Sequence, residues 1–407
     1  MRPAEPPPLT ILVAARDEED VIADTVRALH EQFPDAEVLV ADDGSRDGTA
    51  AEAEAAGAIV LRLTRRGKGQ TLSAGERAAA PGRLLVCDAD LSGDLRPLLE
   101  SGAEVAVAAF AERQGGGFGL AKRTGHALIR LRSGFEAREP LSGQRALSPR
   151  ARTVCFPLAP GFGCEVRMTI DAVRAGLSVE ERELPLRHRA TGRDARGFAH
   201  RGRQLLDALL GAGPIEVNFR GTRLPLIGWA VAVRRDPAVA AIAALGLADD
   251  LWSGPERGFS AHLRAGGTTG VLKLVGIPLV GLLATRKLSG ALLVGLAANA
   301  LNQVDTKPGR ALKTYLVAAL AVEAPLRTAV LLTPYDLREM AMLGDAGSNA
   351  LGALLGLSSV NRFTERGRWV AIGALAGLTL LGERRSLGEL IERTPGFREL
   401  DAWGRLP

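Results

Sequence analysis

The chain has 407 residues, enough for at least two domains with separate cores. Its net charge is only +5 and only 4% of its residues are aromatic. Without aromatic platforms interleaved among its basic residues, a nucleic-acid binder is disfavoured.

The opening segment alternates short apolar runs with helical spacing. Leu9 to Ala14 reads as a strand, Ile22, Val26 and Leu29 as a helix face, and Glu37 to Ala41 as a second strand. Thr49 to Ala56 reads as a helix stopped by Gly57, and Ile59 to Leu63 as a third strand. Gln70 to Ala80 is then helical and Arg83 to Cys87 a fourth strand. Such alternation predicts a mostly parallel sheet covered on both faces, with ligands bound beyond the carboxyl ends of the strands.

Charge follows each of those ends. Arg16, Asp17 and Glu18 come after the first strand, Asp42 and Asp43 after the second, Arg66 to Lys68 after the third, and Asp88 and Asp90 after the fourth. Paired carboxylates at Asp88 and Asp90 suit Mg²⁺ or Mn²⁺ beside a nucleotide diphosphate. Asp42 or Asp43 can accept from a base or ribose, and Lys68 can reach a phosphate. Each has a plainer reading as a turn or cap residue, and RRGKGQT is not a phosphate loop of the Walker type. The collection of all four ends on one edge favours a site.

Glu165 follows the turn Pro160 to Gly163 at the start of an amphipathic helix, on the side where an acceptor would enter. It is the candidate acceptor-activating carboxylate, or else a helix-start residue in the helix dipole. Gly115 to Gly117 form a flexible segment suited to closing over substrates. His188 to Arg203 holds five Arg against one Asp, a solvated face or a contact for phosphate or anionic lipid. Cys87, Cys155 and Cys164 have no metal spacing and read as buried thiols in a reducing compartment. The first residues, MRPAEPPPLT, lack an apolar signal region, so the N-terminal half is expected in the cytoplasm.

The segments AARDEEDVIADTVRAL, VLVADDGSRDGTA, RRGKGQTLSAG and LLVCDADL resemble glycosyltransferase family 2. GGGFGLAK, PLSGQRAL, PGFGCEVRMTIDAVRAG and HRATGRD extend that likeness to about residue 210, near glucosyl-phosphoglycerate synthases and dolichol-phosphate-mannose-type enzymes. The resemblance implies a GT-A fold over residues 1–212 and a nucleotide-diphosphate sugar donor. It also implies a metal at Asp88 and Asp90, and donor contacts from Ala15, Arg16, Glu18, Asp42, Asp43, Lys68, Asp88, His188 and Arg193. Ala14-Ala15 stands where the family commonly has Pro-Ala.

From Asn218 onward apolar runs alternate with polar loops. ADD at Ala248 to Asp250, NALNQVD at Asn299 to Asp305 and GDAGS at Gly344 to Ser348 resemble the polyprenyl-phosphate sugar-1-phosphate transferase superfamily. That likeness implies an all-α membrane domain over residues 213–407, polyprenyl phosphate as acceptor, and a site at the cytoplasmic face of a bacterial membrane. It implies catalytic roles for Asp249 and Asp305 and a Mg²⁺ site at Asp250, Asp305 and Asp345. Acidic residues at the mouths of apolar helices fit such a role.

Two departures stand out: Pro308 occupies the position of a second Asp, and the family's histidine-rich loop is replaced by PYDLREM at Pro334 to Met340. Length is a further difficulty. A crossing needs about 20 apolar residues, and the intervals Leu224 to Leu247 and Lys313 to Pro334 hold only about 22 to 24 each, where paired crossings are required. Either the helices are short re-entrant pieces in a homo-oligomer, or this half is a reduced relative that only anchors the chain. The expected whole is a membrane-associated glycosyltransferase fused to a second transferase-like domain; the alternative is an enzyme with a soluble glycosyl-phosphate product and a lipid-holding module.

Overall fold

A computed structural model of the chain describes residues 8–90, 93–110, 119–186, 195–233, 236–252 and 269–405. The chain divides into two compact units, Met1–Ala212 and Gly213–Pro407.

The first unit is a two-sided α/β layer structure. Its strands are β1 (Leu9–Ala15), β2 (Glu37–Asp42), β3 (Ile59–Arg62), β4 (Arg83–Asp88), β5 (Val105–Phe110), β6 (Arg145–Leu147) and β7 (Val179–Leu184). They form one sheet in the order β3-β2-β1-β4-β6-β5-β7. β1 to β4 are parallel, and β6 runs antiparallel between β4 and β5. The helices expected between the first four strands are α1 (Ile22–Gln32), α2 (Thr49–Ala55) and α3 (Lys68–Ala78), followed by α4 (Arg96–Leu99), α5 (Leu120–Ser133), α6 (Pro149–Cys155), α7 (Cys164–Arg174) and α8 (Ala195–Ala212).

Strand periodicity sorts the core into two layers. Ile11, Val13, Val38, Val40, Leu85 and Cys87 face Ile22, Val26 and Leu29 of α1. Leu12, Leu39, Ala41, Leu84 and Val86 face Leu72 of α3 and Cys164 and Met168 of α7. All three cysteines are free and buried. Register decides what stands at the sheet edge: Ala15 pairs with Asp42 and Ala14 with Asp88, so two carboxylates flank the end of β1.

The second unit begins with a hairpin of β8 (Ile215–Val217) and β9 (Arg223–Pro225), so it is not wholly helical. Its helices are α9 (Pro237–Trp252), α10 (Thr269–Thr285), α11 (Leu288–Val304), α12 (Arg310–Val322), α13 (Arg327–Leu337), α14 (Gly344–Arg362), α15 (Glu365–Arg384), α16 (Leu387–Arg393) and α17 (Phe397–Ala402). α11 and α14 pack backbone to backbone: a Cβ on Gly352 would lie 2.5 Å from the Ala297 carbonyl oxygen. Gly246 does the same for α9, where a Cβ would lie 2.5 Å from the Asp345 carbonyl oxygen.

The expected transmembrane helices are corrected by the structure. Among the described residues no helix is long and apolar enough to cross a membrane. The apolar helices α10 and α11 have 17 residues each and α9 has 16, which at 1.5 Å per residue is at most about 25 Å against a hydrocarbon core of about 30 Å. α14 and α15 are longer, but α14 carries Asp345, Ser348 and Asn349 in its first turns and α15 has charged residues at both ends.

Candidate active site

The edge of the sheet in the first unit is built from interlocked loops. The backbone N–H of Asp17 donates to Ser45 Oγ (3.0 Å), and that of Arg46 to Asp17 Oδ1 (2.9 Å). The N–H of Glu18 donates to Thr49 Oγ1 at 2.8 Å, and that of Gly48 to Glu19 Oε2 at 2.7 Å. Arg16 pairs with Asp17 at 3.5 Å.

Asp42 and Asp43 are both buried, and both carboxylates are engaged within these loops. Asp42 accepts from the Ser45 N–H (3.1 Å) and from the Ser45 hydroxyl. Asp43 accepts from the N–H groups of Arg66 (2.6 Å) and Gly67 (3.0 Å) and from Thr71 Oγ1 (2.9 Å). Asp43 therefore anchors the N-terminus of α3, which carries Lys68 at its first position, and the helix dipole favours an anion there.

Lys68 is the hub. Its ammonium lies 2.7 Å from Asp88 Oδ1 and 2.7 Å from Glu165 Oε1. Burial alone would lower its pKa, but the two carboxylates reverse that and hold it well above the ordinary lysine range. Gly69 lets α3 approach closely enough: a Cβ there would overlap the Ala159 carbonyl. Asp88 Oδ2 accepts from Gln144 Nε2 at 2.9 Å. Glu165 stands in the first turn of α7, its Oε2 accepting from the Cys164 thiol at 3.1 Å. Burial, then the neighbouring Glu165, pushes that thiol's pKa well above the usual value, so Cys164 is a proton-bearing donor rather than a nucleophile.

The structure thus brings Lys68, Asp88 and Glu165 together, with Asp42 and Asp43 on the adjoining strand end. Asp90 follows two residues after Asp88, in a turn held by Thr25 Oγ1 donating to the Ala89 carbonyl at 2.7 Å. His188, Arg193 and Gly115 to Gly117 lie outside the described residues. Among the described residues no three His, Cys, Asp or Glu side chains gather in metal-holding geometry. The donor set fits a cation of the Mg²⁺ kind, which takes one or two carboxylates and completes its shell with phosphate oxygens and water.

The second unit has a comparable hub. Lys273 of α10 lies 2.5 Å from Asp249 Oδ2 and is paired with Asp345. Asp250 accepts from the N–H groups of Asp345 (2.9 Å) and Ala346 (3.0 Å), capping α14. Asp305 makes no side-chain hydrogen bond among the described residues. Burial, then Asp336, Asp345, Glu216 and Asp250, pushes its pKa well above the carboxylate range. Burial and then Asp345 raise Asp250 to about 7. Burial raises Asp345 to about 6 against the pull of Lys273, and Asp336 rises to about 6 for the same first reason. Lys273 offsets Asp249 and Asp345, and Arg405 and Lys313 ease Asp336, while Asp250 and Asp305 face mainly burial and other carboxylates, a charge that a divalent cation would balance.

Asn299 is set apart from that crowd, its amide donating to Thr379 Oγ1 at 3.2 Å. Sequence reasoning missed Lys273, Asp336, Gln144 and Arg145. Lys273 had a readable signal, being a single charge inside the apolar run TGVLKLVGIPLVGLL. Asp336 sat unassigned in PYDLREM.

The comparisons with known proteins bear on the first unit. Residues 10–143 match the model of glycosyl transferase family 2. Glycosyltransferase AglJ of Haloferax volcanii is 30% identical over 185 residues, 42% of this chain, and the chain spans 60% of the length of that curated relative. Among solved structures, glucosyl-3-phosphoglycerate synthase from Mycobacterium tuberculosis in complex with phosphoglyceric acid is 25% identical, with a TM-score of 0.44, over 54% of this chain and 86% of that one. The same synthase with Mn²⁺, uridine-diphosphate and glucosyl-3-phosphoglycerate is 24% identical, with a TM-score of 0.43, over 54% and 87%. The stretch that matches the family 2 model carries the parallel strands β1 to β4 and their charged carboxyl edge.

Proposed function

We propose that the first unit transfers a glycosyl group from a nucleotide-diphosphate sugar to an acceptor hydroxyl. The observation that carries this is the Lys68 bridge between Asp88 and Glu165, set at the carboxyl edge of parallel strands in the stretch that matches this family. Asp88 and Asp90 are the residues that would hold Mg²⁺ or Mn²⁺, with His188 as a further contact. When bound, the ion offsets the charge that builds on the departing diphosphate. Lys68 adds fixed positive charge at that same edge, in a site where little reorganisation is needed. Glu165 takes the acceptor proton, its orientation set by the first turn of α7. Ala15, Arg16, Glu18, Asp42, Asp43 and Arg193 complete the donor side, with Asp42 and Asp43 acting through the loops they hold. A panel of nucleotide sugars with Mn²⁺, read by nucleotide diphosphate release, tests the reading. Failure to bind or turn over any of them would overturn it.

A second activity is favoured by one observation: Asp249 and Asp345 share Lys273, Asp250 caps the helix that carries Asp345, and Asp305 lies in the field of Asp345 and Asp250. We infer that this unit handles a sugar phosphate and polyprenyl phosphate, with Mg²⁺ at Asp250, Asp305 and Asp345 and with Asp249 and Asp305 carrying the chemistry. The setting is cell-envelope glycolipid synthesis at the cytoplasmic face of a bacterial membrane. Leu272, Val275, Leu279 and Leu283 form an exposed apolar stripe on α10 that ends at the exposed pair Arg286-Lys287. Such a face suits an interfacial helix against anionic lipid. Release of UMP from a UDP-sugar with polyprenyl phosphate, lost in Asp305→Asn, tests this. Vesicle binding without UMP release from the wild-type chain would leave only a lipid-holding role.

A further inference from the structure

The segment Ser142-Gly143-Gln144-Arg145 takes no part in the chemistry described above, yet it reaches the Asp88 carboxylate directly and the backbone of Glu165 through Thr169. β6 pairs Arg145 with Val86, and continuing that antiparallel register brings Gly143 beside Asp88. The approach is close: a Cβ on Gly143 would lie 2.6 Å from Asp88 Oδ2. Gln144 donates to that same oxygen at 2.9 Å, with its own Oε1 accepting from Ser142 Oγ at 3.2 Å.

Arg145 works on the opposite partner. Its side chain is fully buried; Nε donates to the Ser142 carbonyl (2.9 Å) and Nη1 to Thr169 Oγ1 (2.9 Å). Thr169 Oγ1 in turn donates to the Glu165 carbonyl at 3.2 Å. The chain Ser142–Arg145–Thr169–Glu165 therefore fixes the turn of α7 from which the Glu165 carboxylate projects. Nη2 has no hydrogen-bond partner. A buried guanidinium with an unmet donor is costly, and an apolar residue of similar length would fill the space at lower cost. Burial depresses the guanidinium pKa, and Glu165 is the foremost group opposing that.

We propose that Ser142 to Arg145 is a two-armed bracket that sets the spacing of the site, the Gln144 arm holding Asp88 on the donor side and the Arg145 arm holding Glu165 on the acceptor side. Gln144 and Arg145 are positioning residues in this scheme. The inference rests on the proposed sugar transfer for its kinetic readout alone.

The two arms predict opposite kinetic signatures in the full chain. Arg145→Lys, which keeps the charge but loses the guanidinium fork that reaches Ser142 and Thr169 together, lowers kcat at least tenfold with donor KM within twofold. Gln144→Ala raises donor KM about tenfold with kcat within threefold. Parallel losses in kcat and KM in both variants, in step with lowered Tm, would show a merely structural segment and overturn the bracket. A readout independent of activity is amide hydrogen exchange. In Arg145→Met the amides of residues 165–169 exchange at least tenfold faster, while those of Ile11 and Val13 keep wild-type protection. Unchanged exchange at 165–169 overturns the bracket even if no sugar donor is found. A wild-type chain that turns over no nucleotide sugar, with accelerated exchange in the variant, sinks the proposed reaction and leaves the bracket standing.

Discussion

Both units place one lysine between two carboxylates, but they balance charge differently. In the first, Lys68 faces Asp88 and Glu165, while the nearby Asp42 and Asp43 are satisfied by hydroxyls and backbone N–H groups of their own loops. In the second, Lys273 pairs with Asp249 and Asp345, while Asp250 and Asp305 face other carboxylates and Asp336 is eased by Arg405 and Lys313. The first hub is close to neutral and pre-set. The second gathers more carboxylates, and burial, then Asp345, drives Asp250 up to about 7, while burial drives Asp345 up to about 6 against Lys273. The same local device therefore serves as a fixed support in one unit and as a cation-demanding, pH-sensitive cluster in the other.

The comparison is sharpest at Asp88. Asp88→Asn removes charge from the donor side without removing volume, so sugar transfer falls by about 100- to 1,000-fold, while the melting transition of the first unit stays in place. Steady-state rates across a Mn²⁺ titration check it, and full metal-dependent turnover would remove Asp88 from the site.

Lysine removal separates the two hubs next. Lys68→Met leaves the buried Glu165 and the half-buried Asp88 carboxylates without their counter-charge and costs about 3 kcal/mol at neutral pH. Lys273→Met costs less at pH 5, because the Asp249–Asp345 pair is joined by carboxyl groups that already bind protons readily there. Denaturant melts of both variants at pH 5 and 8 measure the contrast. Equal losses at both pH values in both variants would erase the distinction.

The pH response of the wild type is a third lever. Asp250 and Asp345 have folded pKa values above the ordinary aspartate range, at about 7 and about 6. Between about pH 4 and 7 the folded second unit binds more protons than the unfolded chain. The stability these two groups contribute is therefore fullest near pH 4 and is lost as pH rises through that window, by several kcal/mol. Divalent cation added at pH 8 should recover part of the loss. Calorimetry with and without Mn²⁺ resolves it, and a second-unit transition that is flat from pH 5 to 8 counts against the cluster.

The smallest effect concerns loop anchoring. Asp43→Asn weakens the charge-assisted bonds to the N–H groups of Arg66 and Gly67 and costs about 1 kcal/mol. Donor affinity should fall only through looser placement of Lys68. A loss of binding with no change in Tm would return Asp43 to direct contact with the nucleotide.

Legibility followed range. Strands, helices and the charged strand ends of residues 9–90 were readable because they depend on local period and on residues adjacent in sequence. The gathering of Asp42 and Asp88 beside Ala14-Ala15 followed once the strands were taken as parallel. The sequence also pointed to Glu165, Asp249, Asp250, Asp305 and Asp345 through the motifs that hold them.

What those residues do was decided by contacts far apart in the chain. Whether a buried carboxylate binds a ligand, caps a helix or pairs with a lysine depends on which neighbours tertiary packing delivers. Asp43 was spent on a loop 23 residues away, and Asp250 on the N-terminus of a helix 95 residues away. Gln144 reached Asp88 across 56 residues and Lys273 reached Asp345 across 72. Helix crossings in the second unit were likewise settled by packing. The sequence already showed short apolar runs separated by polar loops, but only the fold brings their helices into the close crossings at Gly246 and Gly352. Composition and period determine which segments are apolar and where charge sits, because those are properties of each segment alone. Only the folded chain decides which charges meet, since the energy of a buried ionic group is set by its partners rather than by its place in the sequence.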